Sequence, residues 1–277
     1  MKCMLTKMKT ALDGGGRVTI LVRHAERPAL EPGDRTFGAS LPLTANGWRD
    51  AQNFGIMLAR ELRPKSVAFY AGGTFRTLQT ACGMAMGLDL AEAGARIERK
   101  VRLVDFLGSE SPFFGSVEER MSLAAQGHYH ERLNDYFRNG VQRGYKPLKA
   151  AADIMERRLA ALHDDAWPLV VAVTHDINIA AFLAARGAVD SFTDDTWPGY
   201  LDAAIIVKNP DGVRTTDFQS SRSSLTLAPV WKSPSHHRHT FQDGAYDSHP
   251  RPFCETLPLF PAERLRIPLR QKPPSTI

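Results

Sequence analysis

The sequence predicts an α/β fold, a three-layer α/β/α sandwich around a mostly parallel sheet. Three observations carry this. Short apolar runs such as LVVAVT at 169–174 are continuous rather than alternating, the pattern of strands covered on both faces. Longer stretches with helical spacing of apolar residues fall between these runs. The runs also end abruptly in polar or glycine-containing segments, as strands do where they feed loops and helices in layered α/β folds.

The elements follow in order. Residues 1–16, with Lys2, Lys7, Lys9 and the triple glycine Gly14-Gly15-Gly16, are expected to be a flexible N-terminus. The β-branched run 17–23 reads as a first strand. Thr44 is a suitable N-cap for a helix to about residue 63, with Trp48, Ala51, Gly55, Leu58 and Leu62 on one face. A second strand is expected at 66–70, closed by Gly72-Gly73. Thr74 then caps a helix that runs through Met86 and stops at Gly87. A third strand is expected at 96–104.

Residues 105–148 break the alternation. Rich in Phe, Tyr, His and Arg, they read as a partly helical, cap-like insertion over one edge of the sheet. Phe113, Phe114, Tyr129, Tyr136 and Tyr145 either line a substrate pocket or pack a small core there. A helix at 150–162, the strand 169–174, a helix at 177–186 stopped by Gly187, and a strand at 202–208 complete a domain over 17–217. Asn209-Pro210-Asp211-Gly212 is a turn after the last strand. From 218 onward the chain holds nine of its eighteen prolines and no sustained periodicity, and is expected to be a disordered tail. The Ser235-His236-His237-Arg238-His239 cluster in it reads as solvated rather than as a metal site.

Composition bounds the function. The 277 residues are 43% hydrophobic and 23% charged, ordinary for a globular protein. The net charge is +5, but from residue 218 onward eight Lys/Arg face four Asp/Glu, so the body is nearly neutral. That distribution argues against nucleic acid as a partner. Three scattered cysteines without a CxxC fit a reducing compartment. No run approaches the ~18 apolar residues of a membrane span, and the first residues lack a signal-peptide core. A cytoplasmic protein with no membrane contact is expected. The oligomeric state is left open.

Three segments put polar groups at strand ends or helix starts. In Arg23-His24-Ala25-Glu26-Arg27, two arginines flank a histidine, and an anion held between their guanidiniums would relieve the like-charge repulsion. Neighbouring cations also keep His24 neutral and able to attack. A strand-end histidine between two solvated arginines fits the same residues. Arg76, in the first turn of its helix, opposes the helix dipole unless an anion is bound; a sideways ion pair is the other reading. His175-Asp176, before Asn178, offers either helix caps or a phosphate ligand and a general acid. Next to a phosphate, Asp176 is expected to have a raised pKa.

Taken together these segments resemble the histidine phosphatase superfamily, which includes the phosphoglycerate mutases and histidine acid phosphatases. Arg23-His24-Ala25 is similar to the family's Arg-His-Gly, with alanine in place of glycine. Pro42-Leu43-Thr44-Ala45-Asn46-Gly47 is similar to its Pro-Leu-Thr-x-x-Gly, and Arg76-Thr77-Leu78-Gln79-Thr80-Ala81 to its Arg-Thr-x-Gln-Thr-Ala. His175 corresponds to the family's second histidine. The resemblance implies a phosphoglycerate mutase-like fold and a phosphohistidine on His24. It also implies a phosphate pocket of Arg23, Arg27, Arg76 and His175. The proton donor is expected to be Asp176, as in the acid phosphatases, with Asp105 or Glu110 the choice if the mutase pattern holds. The implied activity is hydrolysis of a small phosphomonoester without metal or cofactor, since guanidiniums supply the positive charge. A phosphotransferase and a non-catalytic phosphate or phosphoprotein binder are the alternatives.

Overall fold

The structure, a computed structural model, describes residues 2–30, 38–91, 95–97, 100–125, 129–164 and 166–220. The expected tail beyond 220 and its histidine cluster lie outside the described residues.

The apolar runs do form strands. The strands β1 (Arg17–Arg23), β2 (Ser66–Ala71), β3 (Arg96–Ile97), β4 (Arg102–Leu103), β5 (Leu169–Thr174), β6 (Ala203–Lys208) and β7 (Arg214–Gln219) make one sheet. Their order is β3-β2-β5-β1-β6-β7, with β4 also paired to β2. The pairings of β5 with β1 and β2, and of β2 with β3 and β4, are parallel; β6 is antiparallel to β1 and β7. The helices are α1 (Lys2–Asp13), α2 (Ala45–Leu62), α3 (Phe75–Leu90), α4 (Val117–Ala125), α5 (Tyr129–Asn139), α6 (Leu148–Ala160) and α7 (Asp176–Ala185). Among the described residues, no helix is long and apolar enough to cross a membrane.

Because side chains alternate along a strand, the central strands feed two cores. Val18, Ile20, Val22, Val171 and Val173 pack with α1, α2 and α3 on one face. Leu21, Val170, Ala172 and Ile206 pack with α5, α6 and α7 on the other. The mostly parallel, three-layer α/β arrangement is therefore present. The chain leaves β1 for α2 on one face and β5 for α7 on the other. The gap between the ends of these adjacent strands is thus a topological switch point, the place where open α/β sheets bind ligands.

Several expected boundaries shift. The first sixteen residues are not a loose lead-in: α1 buries Met8 and Ala11 in the first core. Gly87 does not stop its helix, since α3 continues to Leu90. It is needed for packing: a Cβ there would lie 1.9 Å from the Gln52 carbonyl of α2, and one on Gly55 would lie 2.0 Å from the Met84 carbonyl of α3. The strand expected over 96–104 is two short pieces on β2. The strand β7, not anticipated, runs to Gln219 and moves the start of the expected tail past 218. In the insertion, Phe113, Leu133, Tyr136 and Tyr145 join the core shared by α6 and α7, so this segment is not a separate small core. Phe114 and Tyr129 pack against it from partly buried positions.

Substituting Gly87→Ala should cost about 1–3 kcal/mol by overpacking the α2–α3 contact. Urea denaturation measures it, and an unchanged midpoint would show that the two helices do not approach this closely.

Candidate active site

Backbone register brings the two histidines side by side. Arg23 pairs with Thr174 across β1 and β5, and the His24 amide donates to the Thr174 carbonyl (3.0 Å). The Gly72 amide donates to the Val173 carbonyl (3.1 Å), so the loop before α3 ends level with both. His24 and His175 meet edge to face with ring centroids 5.3 Å apart.

The state of the His24 ring follows from its partners. Nδ1 lies 2.8 Å from the Ala25 carbonyl, which can only accept, so Nδ1 carries the proton. The lone pair is then on Nε2, which accepts from Arg76 Nε at 3.1 Å. Burial, followed by the charges of His175 and Arg76, holds the His24 pKa well below the ordinary histidine value. His175 is pushed down to about 3 by burial and then by Arg76. Both rings are neutral across the physiological range.

The remaining motif residues hold the backbone around this ring. Thr80 Oγ1 accepts from the Ala25 amide (2.9 Å) while donating to the Arg76 carbonyl (2.8 Å). Gln79 Oε1 accepts from the Leu43 amide (2.8 Å). Thr44 caps α2 by accepting from the Gly47 amide (2.9 Å) and donates to Glu26 Oε2. A Cβ at Gly47 would lie 2.2 Å from the Glu26 carbonyl, so only glycine lets α2 start this close to the His24 loop.

Positive charge is concentrated here. Arg76 is 6% exposed, and burial followed by repulsion from Arg27 lowers its pKa to about 10. Arg23 Nε and Arg27 Nε are buried without a hydrogen-bond partner. An inward-facing donor left unpaired costs free energy that an anion would recover.

Burial pushes the Asp176 pKa up, but the Arg23 guanidinium 3.1 Å away, Trp197 Nε1 at 3.2 Å and the Ile177 amide at 2.8 Å hold it down at about 2. It is a carboxylate clamped to Arg23. Arg23, His24, Arg76, His175 and Asp176 are thus brought together, with Arg27 near enough for its charge to act on Arg76 and His175. Asp105 and Glu110 are exposed. Asp105 opens a 3-10 turn whose Leu107 carbonyl accepts from Thr174 Oγ1 (2.6 Å), which ties that turn, though not the Asp105 carboxylate, to the site.

Sequence reasoning missed the loop before β6. The Pro198 carbonyl accepts from Arg23 (2.6 Å), Trp197 reaches Asp176, and the Tyr200 ring lies 5.7 Å from the His24 ring with the Arg23 guanidinium 4.6 Å above it. Leu201 adopts φ +62°, an uncommon conformation for leucine, beside Asp202, whose carboxylate accepts from the Gly199 amide (2.7 Å). The signal available was Trp197-Pro198-Gly199-Tyr200, two aromatics around a turn dipeptide.

No protein-family model and no curated protein matches the chain. Among solved structures, similar folds include the mycobacterial glucosyl-3-phosphoglycerate phosphatase, at 14% identity and TM-score 0.45 over 74% of this chain and 99% of that one. A phosphoglycerate mutase from Bacillus anthracis gives 14% and 0.43 over 75% and 94%. A phosphoserine phosphatase from Entamoeba histolytica gives 16% and 0.44 over 74% and 98%.

The two depressed histidines set a pH dependence of stability. The unfolded chain takes up protons near pH 6.5 that the folded chain refuses until about pH 3 at His175 and well below 6.5 at His24, so stability falls as pH drops through that window. Asp176 acts in the same sense below its unfolded value of about 4. Melting temperature should therefore decline from pH 6.5 to 4, and less steeply in His175→Asn. Equal slopes in the two proteins would refute the assignment of that proton.

Proposed function

We propose that this chain is a metal-independent histidine phosphatase, a phosphomonoester hydrolase that passes the phosphoryl group through a covalent intermediate on His24. One observation carries the reading. The His24 ring is buried, neutral and locked with its Nε2 lone pair toward Arg76, among guanidiniums with unpaired buried donors. A structural histidine has no need of that arrangement, whereas a nucleophile beside an oxyanion pocket does.

The phosphoryl oxygens take hydrogen bonds from Arg23, Arg27, Arg76 and His175, with Arg76 exchanging its bond to Nε2 for one to an oxygen. Nε2 attacks phosphorus in line, the P–O bond to the leaving group breaks, and the departing oxygen takes a proton from Asp176. Water then attacks the phosphohistidine, gives a proton back to that carboxylate, and releases inorganic phosphate. The three guanidiniums neutralise the equatorial oxygens, the task a metal performs elsewhere.

Asp176 acquires its proton through the substrate. A phosphate dianion that engages Arg23 withdraws the cation holding the carboxylate down and adds negative charge beside it, and both changes raise its pKa. Its position among Arg23, His175 and Trp197 favours it over the exposed Asp105 as donor.

The test is hydrolysis of p-nitrophenyl phosphate in EDTA by wild type and His24→Ala, with acid- and base-quenched samples examined for a phosphorylated protein. Activity that survives chelation and vanishes in the variant is expected, with a base-stable, acid-labile phosphoryl group on the wild-type chain. Undiminished turnover by His24→Ala would remove the nucleophile. Asp176→Asn should slow alkyl phosphates about 10²–10⁴-fold and p-nitrophenyl phosphate far less, because a good leaving group needs little protonation. If Asp105→Asn shows that pattern instead, the donor is Asp105.

A further inference from the structure

The insertion contains a cation whose setting the phosphate chemistry does not explain. Arg120, in the first turns of α4, stacks its guanidinium on the Phe114 ring at 4.0 Å. Its Nε is buried without a hydrogen-bond partner. On its own helix Glu119 pairs with Arg143 at 2.7 Å, and Glu118, which accepts from Ser116 Oγ at 2.8 Å, acts on Arg120 through its charge. Burial lowers the Arg120 pKa. Stacking on phenylalanine covers one face of the guanidinium, yet leaves its edge donors unused, and those are the groups that bind oxyanions.

Two tyrosines lie within reach of the charges of both this cation and Asp176. Tyr129 and Tyr145 share a hydrogen bond between their hydroxyls (2.9 Å), and whichever hydroxyl accepts still has a proton to donate. Burial raises the pKa of both, and both feel the positive charge of Arg120 and the negative charge of Asp176. The aromatic wall continues through His130, stacked on Trp197 at 4.3 Å, to the Trp197 bond with Asp176. A guanidinium edge and a tyrosine hydroxyl thus stand on one continuous wall with the general acid.

We infer that Arg120, with the Tyr129–Tyr145 hydroxyl pair, is a second anion subsite, and that the substrate is a phosphomonoester carrying a further carboxylate or phosphate group that docks there. This rests on the phosphatase reading above and adds the substrate class to it. A ligand with both anionic groups satisfies the buried Arg120 donor and the pocket arginines together, whereas a mono-anionic ester leaves the first unpaired.

The full chain is assayed with esters matched except at the far end: glycerol 3-phosphate, 3-phosphoglycerate and glycerol 1,3-bisphosphate, and at greater length glucitol 6-phosphate and 6-phosphogluconate. Wild type should prefer the doubly anionic member of at least one set by about ten- to a hundredfold in kcat/KM, the range a charged hydrogen bond carries. The preferred member tells carboxylate from phosphate. Arg120→Met should abolish that preference while leaving p-nitrophenyl phosphate hydrolysis unchanged, and Arg120→Lys should restore part of it. No preference in wild type, or an equal loss on all esters in both variants, overturns the subsite and leaves Arg120 a packing residue. Calorimetric binding of the same esters to His24→Ala reads the preference without turnover. Ester hydrolysis by His24→Ala would count against the phosphatase mechanism, while a preference lost with Arg120 would still stand.

Discussion

A single hydrogen bond, from His24 Nδ1 to the carbonyl of the next residue, sets the tautomer on which the rest of the site depends. With the proton on Nδ1 the lone pair must sit on Nε2; reverse it and the ring presents a donor to Arg76, a clash of two donors. That carbonyl belongs to an irregular segment immediately after β1, and such a segment has no rigidity of its own. The rigidity is borrowed. Thr80 holds the Ala25 amide, and Thr44 and Gly47 hold Glu26 on the other side. Residues away from the ring thus decide where His24 points, and their spacing in the chain reflects the helices α2 and α3 near which they lie.

Around this ring the arginines are gathered near one partly buried ion pair, Arg23 with Asp176. Asp176 pairs with Arg23 at 3.1 Å, and its charge also acts on Arg76. Asp176 is the counter-ion of Arg23, and its carboxyl stays near pKa 2 for that reason even though burial alone would raise it. The same side chain cannot be both a strong counter-ion and a proton donor in one state. Under the proposed mechanism, protonation of this group is set by whether Arg23 is otherwise engaged, so the site would become acidic at the leaving group only as a phosphate takes up Arg23.

Much of this was legible in the chain because it is local. The strand ends that precede Arg23-His24, Arg76 and His175-Asp176 are marked by continuous apolar runs, and the arginines gathered there suggested an anion once the three segments were taken together. What was not legible depends on contacts between distant residues. Gly87 looks like a helix stop in isolation, and only the approach of the Gln52 carbonyl shows that it is a contact point. Strand β7 alternates polar residues and draws its stability from pairing with β6, which no window of sequence reveals. The loop at Trp197 to Leu201 enters the site because Arg23 and Asp176 reach across to it. The low pKa of Asp176 required knowing that Arg23 lies 3.1 Å away.

The insertion was expected to sit over one edge of the sheet. Its large side chains instead enter the same core as α6 and α7: Phe113, Leu133 and Tyr136 are fully buried with Phe182 and Met155. A segment anchored in the main core cannot swing away as a lid without exposing that core, at roughly 25 cal/mol for each Å² of apolar surface uncovered. Its polar groups are therefore preorganised relative to the phosphate pocket before any ligand binds. Ser111, which donates to Asn178 of α7 at 2.7 Å, ties the start of the insertion to the helix that begins with Asp176. Under the proposed mechanism the insertion and the donor Asp176 share one packed core, so a substrate that fits the wall would be held with its leaving oxygen near the acid, and one that does not fit would lose rate as well as affinity.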